Sequence, residues 1–288
     1  MRPIALVTDS TADIPTDVRE ALGIEMVPLG VHFGEEAYLD NVDLTPEQFY
    51  AKLASFDGLP KTSQPSPAQY CEVYKRLTDE GKDVISLHLS SAFSGTYQSA
   101  LTGKSMLEDE REDAVTVLDS KTASYGYGML AVAAAELARR GGSREEILER
   151  IAKLKAETKL YFLVDTLDYL HKGGRIGKAA ALFGSLLNIK PILTIDAEGY
   201  VTATDKVRGQ KRAFARIVEL LQTAFPNGEV DLAAVVTPGR TEMAEELIGL
   251  LRDKFAVRKF TRSAIGPVIG THAGPGTVGI FMTPAGLM

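Results

Sequence analysis

Val84-Ile85-Ser86-Leu87-His88-Leu89-Ser90-Ser91-Ala92-Phe93-Ser94-Gly95-Thr96-Tyr97 passes from a strand pattern through small polar residues into a helix start. Val84 to Leu89 is apolar at nearly every position, as a strand buried on both faces requires. The same grammar recurs at Ile4 to Thr8, which ends in Asp9-Ser10-Thr11, and at Val115 to Leu118, which ends in Asp119-Ser120. Between these runs, Thr45-Pro46-Glu47-Gln48 and Ser66-Pro67-Ala68-Gln69 each read as an N-cap, a proline at the first helical position and a reciprocal glutamine. Tyr70, Val73, Tyr74 and Leu77 repeat at helical spacing, which makes the second of these helices amphipathic and Cys71 an ordinary packed thiol. Strands alternating with helices predict an α/β unit with a parallel sheet and right-handed crossovers.

Further along, an alanine-rich helix over Met129 to Arg140 is stopped by Gly141-Gly142, and Ser143 with Glu146 opens the next, expected to run to about Lys155. From Leu160 the texture changes to strands separated by turns: Tyr161 to Val164, Pro191 to Ile195, Tyr200 to Ala203, Leu232 to Thr237, Val257 to Thr261 and Thr277 to Met282. Ala197-Glu198-Gly199 suggests a hairpin, so this half reads as mixed α+β. Two domains are expected, residues 1–156 and 157–288, packed closely because no flexible linker joins them.

Composition narrows the function. The 288 residues are 45% hydrophobic and 24% charged, enough for real cores and too apolar for disorder. Lys plus Arg total 32 against 38 Asp plus Glu, a net charge of -6, so no global positive field attracts nucleic acid or anionic lipid. The N-terminus enters a strand pattern directly and carries no signal-peptide pattern. The longest apolar-leaning run, Ala179 to Ile189, is interrupted by Gly184, Ser185 and Asn188 and falls well short of the roughly 18 residues that span a bilayer. A single cysteine makes no internal disulfide, and a cytoplasmic location is expected.

The local motifs leave alternatives open. Ser94 and Gly95 read either as a helix cap or as donors to an anion. Lys61-Thr62-Ser63-Gln64-Pro65-Ser66-Pro67 is a stiff loop offering Thr62 and Ser63, or simply a turn into a capped helix. Gly274-Pro275-Gly276-Thr277-Val278-Gly279 has dinucleotide-loop spacing but precedes a strand, and is set aside. In Lys172-Gly173-Gly174-Arg175-Ile176-Gly177-Lys178 a lysine takes the first glycine position of a phosphate loop, and Ala179 stands where a magnesium-binding hydroxyl is required. What remains is Arg175, a solvated charge or an anion clamp. His272, fixed among glycines and prolines, is a structural group or a functional one. No Gly-x-Ser-x-Gly elbow is present, and no pattern links a serine to His272 and a carboxylate. Asp9, Asp119 and Asp165 at strand ends serve as acids, metal ligands or loop caps. Neither zinc-ligand spacing among His32, His88, His171 and His272 nor a calcium loop is found, so no metal and no cofactor are expected.

Five ordered signatures resemble the DegV family of bacterial fatty-acid-binding proteins: Val7 to Pro15, Lys61 to Pro67, Leu89 to Ala100, Leu167 to Gly177 and Ile265 to Gly276. The resemblance implies two domains, a parallel-sheet N-terminal one and a mixed C-terminal one, with an acyl chain in a tunnel between them. It also implies a protein that is not itself an enzyme but presents a long-chain fatty acid to a separate ATP-dependent fatty acid kinase, which forms acyl phosphate. Carried over by position, Thr62, Ser94 and His272 hold the carboxylate, and Ser63, Gly95, Thr96 and Thr271 support them. Arg175 and Arg208 match basic positions implied to steer phosphate or dock the kinase. Ala273 departs from the family's more usual Thr-His-Thr and removes a hydroxyl near the head group. A self-contained hydrolase or phosphotransferase and a lipid-responsive sensor are the competing functions.

Overall fold

A strand without a polar face needs cover on both sides, and the first half of the chain supplies it with helices placed between strands. The computed structural model describes residues 2–184 and 189–288. In chain order the first half runs β1 (Ile4–Asp9), a 3-10 turn, α1 (Thr16–Leu22), β2 (Glu25–Val27), β3 (Gly30–Phe33), β4 (Glu36–Leu39), α2 (Pro46–Ser55) and β5 (Lys61–Ser63). It continues through α3 (Pro67–Asp79), β6 (Asp83–His88), α4 (Thr96–Ser105), α5 (Asp109–Asp113), β7 (Val115–Asp119), α6 (Tyr125–Arg139) and α7 (Arg144–Glu157). The order β2-β1-β6-β7 forms a wholly parallel sheet. Leu6, Ile85 and Leu87 meet Leu130 and Ala134 of α6 and Ile147 of α7 on one face; Val7 and Val84 meet Tyr70, Tyr74 and Leu77 of α3 on the other. The capping boxes expected at Thr45, Ser66 and Ser143 all form.

The remainder comprises β8 (Lys159–Leu163), α8 (Asp168–Lys172), β9 (Ile189–Ile195), β10 (Val201–Arg208), α9 (Gln210–Ala224), β11 (Glu229–Val236), α10 (Glu242–Lys254), β12 (Ala256–Ala264), α11 (Pro267–Ala273) and β13 (Val278–Pro284). These strands make a six-stranded sheet, β10-β9-β8-β13-β11-β12, in which β11 and β12 run parallel and the other pairs antiparallel. The expected hairpin joins β9 to β10, with the Asp196 carboxylate accepting from the Glu198 and Tyr200 amides at 3.0 Å each. One face of the sheet buries Ile192, Leu232 and Ile280 against Phe214, Ile217 and Leu221 of α9 and Leu247 and Leu251 of α10. The opposite face turns Ala233, Val235 and Phe281 toward Tyr125 and Met129 of α6.

Three expectations need correction or completion. Lys61 to Ser63 is neither loop nor turn but an edge strand of a third, antiparallel sheet, β4-β3-β5. Its polar sequence carries no strand pattern, and pairing to β3 imposes the extended form. Helix α6 begins at Tyr125 rather than Met129, its first turn disguised by two glycines. Both are required by close contact: a Cβ would lie 2.5 Å from the Phe281 ring at Gly126 and 2.2 Å from the Ala12 carbonyl at Gly128. Of the run Ala179 to Ile189, the 3-10 turn Gly177–Leu182 covers the start, and residues 185–188 lie outside the described residues. No helix among the described residues is long and apolar enough to cross a membrane.

Candidate functional site

Strand alternation separates two neighbours that the sequence presents together. On β5, Thr62 faces α11, where its Oγ1 lies 2.9 Å from His272 Nε2. Ser63 points the other way, bonds His32 Nε2 at 2.9 Å and lines a surface pocket with Gly30 and Tyr38. The support expected from Ser63 is therefore corrected: it lies on the wrong face of the strand. Helix α11, opened by Pro267, approaches α2 through Gly270, where a Cβ would come within 2.8 Å of the Phe49 ring. Its last turn carries His272, whose buried Nδ1 has no hydrogen-bond partner among the described residues. The space facing Nδ1 exists because residue 173 is glycine; a Cβ there would sit 2.5 Å away. Burial pulls the His272 pKa down to about 4, and the nearby Arg175 charge pulls in the same direction.

Arg175 belongs to the same site. The Gly173-Gly174 turn, with Gly174 at φ 70°, brings it back so that Nε donates to the Phe93 carbonyl at 2.9 Å and Nη1 to the Gly173 carbonyl at 2.8 Å. Among the described residues it has no carboxylate partner. Opposite it, Ser94 precedes α4, whose N-cap position is Gly95. Ser94 Oγ accepts from the Thr96 amide at 3.3 Å and pairs with Thr96 Oγ1 at 2.8 Å, one residue ahead of the N-cap position expected for it. Gly95 admits the Gln64 amide, which would lie 2.2 Å from a Cβ and donates to Ser99 Oγ at 2.9 Å. The Thr271 hydroxyl bonds back to the Pro267 carbonyl at 2.9 Å and is occupied within its own helix.

Thr62, Ser94, Arg175 and His272 are the polar end of a cavity of about 120 Å³. The volume is several times the roughly 10–15 Å³ that one water needs, so the two sheets do not meet in solid packing here. Otherwise the walls are mostly hydrocarbon, with Leu29 and Phe93 from the first half facing Phe162, Val235 and Phe281 from the second. This arrangement suits an anion attached to an apolar tail: hydroxyls and an imidazole to hydrogen bond, and a guanidinium to balance charge. Arg208, by contrast, is exposed and lines a separate cavity with Lys190 and Asp165.

The strand-end acids resolve as structural. Asp119 caps the Ser91 and Lys121 amides at 3.2 and 2.9 Å, and Asp165 pairs with Arg240 at 2.9 Å. Asp9 is wholly buried, bonded to His88 Nδ1 at 3.0 Å, Thr11 Oγ1 at 2.6 Å and Tyr127 Oη at 2.7 Å. Burial alone would push its carboxyl up; His88, with the two hydroxyls, holds it below the ordinary value. Nearby, Asp13 and Asp40 clasp the start of α11: Asp13 accepts from the Gly266 amide at 3.0 Å and from Ser124, and Asp40 from Ser10 Oγ at 2.7 Å. Burial lifts Asp40 to about 7 and Asp13 well above the usual carboxylate range, the latter also through the charge of Asp40. Among the described residues no group of three or more His, Cys, Asp or Glu is placed to hold a metal.

The apolar walls escaped the sequence reading. Phe162, Val235 and Phe281 sit on strands whose periodicity is the same whether a side chain meets a neighbour or an open slot. Arg175 carried a legible signal, the double glycine before it, but its place inside the cavity depends on how α8 packs against α11.

Comparisons with known proteins agree with this architecture. The family model described as "Uncharacterised protein, DegV family" matches residues 3–285. Protein DegV of Bacillus subtilis is 40% identical over 278 residues, covering 96% of this chain and 98% of that protein. A DegV domain-containing protein of Caldanaerobacter subterraneus is 38% identical over 284 residues, with 98% and 99% covered. Among solved structures, a DegV family protein from Thermus thermophilus described by its fatty acid binding superposes with a TM-score of 0.90 at 36% identity, over 99% of this chain and 100% of that one. A stearic-acid-binding protein from Eubacterium ventriosum superposes at 0.84 with 27% identity, over 99% and 98%. Matched by the family model and by relatives over nearly its whole length, the chain belongs to the DegV family.

Proposed function

We propose that this protein binds a long-chain fatty acid in the slot and presents its carboxylate, in the cytoplasm, to a separate ATP-dependent fatty acid kinase that forms acyl phosphate. In this reading residues 1–156 and 157–288 act as two domains that sandwich the ligand, and the chain performs no catalysis of its own. One observation carries the proposal. Among the described residues, an apolar slot ends where a buried His272 Nδ1 has no hydrogen-bond partner and Arg175 no carboxylate.

The tail supplies affinity. Burying about fourteen methylenes at roughly 0.8 kcal/mol each contributes on the order of 11 kcal/mol gross, reduced by the entropy of association. The head group sets register, because a buried carboxylate is costly unless it is paired and hydrogen bonded. With the proton on Nδ1, His272 donates to the ligand carboxylate, while Nε2 accepts from the Thr62 hydroxyl, which holds the ring in that tautomer. Arg175 supplies the opposite charge. The Thermus and Eubacterium relatives, whose descriptions name fatty acid and stearic acid, favour the same ligand class. A hydrolase built on Ser94 and His272 lacks support, since no hydrogen bond joins those residues among the described residues and Ser94 Oγ is engaged with Thr96.

Native mass spectrometry of delipidated protein mixed with myristate, palmitate or stearate tests the ligand. Uptake of one acid per chain is expected, and none with any of the three rejects the reading. Adding ATP and a fatty acid kinase to the loaded protein tests presentation: acyl phosphate is expected with the kinase and none without it. A normal rate with Arg208→Glu would remove that residue from the docking role.

A further inference from the structure

The slot has a direction. Immediately before β13, Thr277 lines the head-group end, its hydroxyl bonded to the Ala273 carbonyl beside His272, whereas Gly279 and Phe281 lie successively farther along the same face of the strand. At about 3.4 Å per residue, Phe281 is roughly 14 Å from Thr277. The register places Leu160 of β8 opposite Phe281 and Phe162 opposite Gly279. Phe162 is also opposite Leu193 of β9, which brings Ile195 beside Leu160. Phe281, Leu160 and Ile195 therefore form one row across three strands.

Those three side chains line a second cavity as well, an open cleft of about 630 Å³ between the six-stranded sheet and the helices α6 and α7. Its other walls mix Leu130 and Ala156 with Lys121, Lys155, Thr194 and Asp196, so it is more polar than the slot. The row is thus a partition, one side chain thick, between an apolar slot and an open cleft of mixed polarity. Phe281 is the largest member and is almost wholly buried. Its ring edge rests on Gly126, which lines the cleft side, and a Cβ there would lie 2.5 Å from Cε1.

We propose that Phe281, with Leu160 and Ile195, is the floor of the slot and sets the longest hydrocarbon tail the protein accepts. The proposal rests on the fatty-acid reading and makes it specific. A tail that reaches the row has no further enclosed apolar volume, and each pair of methylenes beyond it loses about tenfold in affinity relative to a chain that buries them.

The test is a competition series of saturated acids from laurate to behenate on the full-length chain, comparing wild type with Phe281→Ala and Gly126→Ala. In the wild type, affinity rises with length and then falls at one step. Phe281→Ala moves that step to longer acids by at least one two-carbon increment. Gly126→Ala, which pushes the ring from the cleft side into the slot, moves it to shorter ones. An unchanged step in Phe281→Ala, with wild type still binding, overturns the floor and leaves the fatty-acid reading standing. If wild type takes up no acid, the ligand reading falls and the floor with it. Should Phe281→Ala not fold, as a thermal melt reports, Ile195→Ala opens the same partition at a less buried position and is held to the same outcome.

Discussion

Two histidines of this chain sit in nearly the same hydrogen-bonding arrangement and do different things. His88 Nε2 lies 2.7 Å from Ser86 Oγ, and His272 Nε2 lies 2.9 Å from Thr62 Oγ1. The difference is at the other nitrogen. His88 Nδ1 meets Asp9 at 3.0 Å, whereas His272 Nδ1 has no hydrogen-bond partner among the described residues. Ser86, His88 and Asp9 even have the connectivity of a catalytic triad, yet all three have zero exposure and Ser86 Oγ already accepts from Tyr74 at 2.7 Å. No substrate reaches them. A complete, inaccessible network specifies a core, and an incomplete one at the end of a slot specifies a ligand.

The sharpest way to break this contrast is to remove each ring in turn. His88→Ala leaves the Asp9 carboxylate buried with fewer donors and opens a cavity, so urea unfolding should show a loss of about 3–5 kcal/mol. His272→Ala removes a ring whose burial was already incomplete, and its larger effect should be on ligand affinity, a loss of about 1–3 kcal/mol measured by calorimetric titration with palmitate. Thr62→Ala should behave likewise. Equal destabilisation by His88→Ala and His272→Ala, with equal loss of binding, would erase the distinction between core and site.

The pH dependence separates the regions by sign. His272 titrates near 6.5 when unfolded and about 4 when folded. As pH falls between those values the unfolded chain takes up a proton that the folded chain refuses. The ring's contribution is therefore full above about 6.5 and is lost toward pH 4, a change on the order of 3 kcal/mol at about 1.4 kcal/mol per unit. Asp40 runs the other way: its pKa rises from 3.8 to about 7 on folding, so its contribution is full below about 4 and is lost as pH climbs to 7. Stability measured by denaturant from pH 4 to 7 should show the wild type gaining on His272→Ala as pH rises and losing ground to Asp40→Asn. Slopes of the same sign would mean that the two groups do not occupy the environments described.

How much of this was readable from residue order follows from range. The parallel sheet, the capped helices and the β9–β10 hairpin are set by patterns within about a dozen residues, and each appears where Ile4 to Thr8, Ser66 to Gln69 or Ala197 to Gly199 indicates. Thr62, Ser94 and His272 were legible through family resemblance, and their convergence depends on contacts such as Thr62 to His272, 210 residues apart. Ser63 failed because a loop has no alternating faces and a strand does. Edge strand β5 is held by pairing to β3, not by any preference of Lys-Thr-Ser. Local pattern is equally silent on which buried side chains border empty space, which is why Arg175 reads as either a solvated charge or an anion clamp and Phe281 as one more strand residue.

Ser94 offers the smallest expected effect and the finest discrimination. Its Oγ accepts from the Thr96 amide and is hydrogen bonded to Thr96 Oγ1, so of the two hydroxyl protons one is spent between them and at most one is left for a bound carboxylate. Ser94→Ala should cost about 1 kcal/mol in palmitate affinity, at the low end for a hydrogen bond to a charged group, because Thr96 Oγ1 then donates in its place. Thr96→Val removes that substitute, and the double variant should lose more than the two single variants combined. A double-mutant cycle on palmitate binding measures the coupling. Zero coupling would mean that Ser94 acts on the carboxylate alone, and no loss in the double variant would confine both hydroxyls to their local bonds at the start of α4.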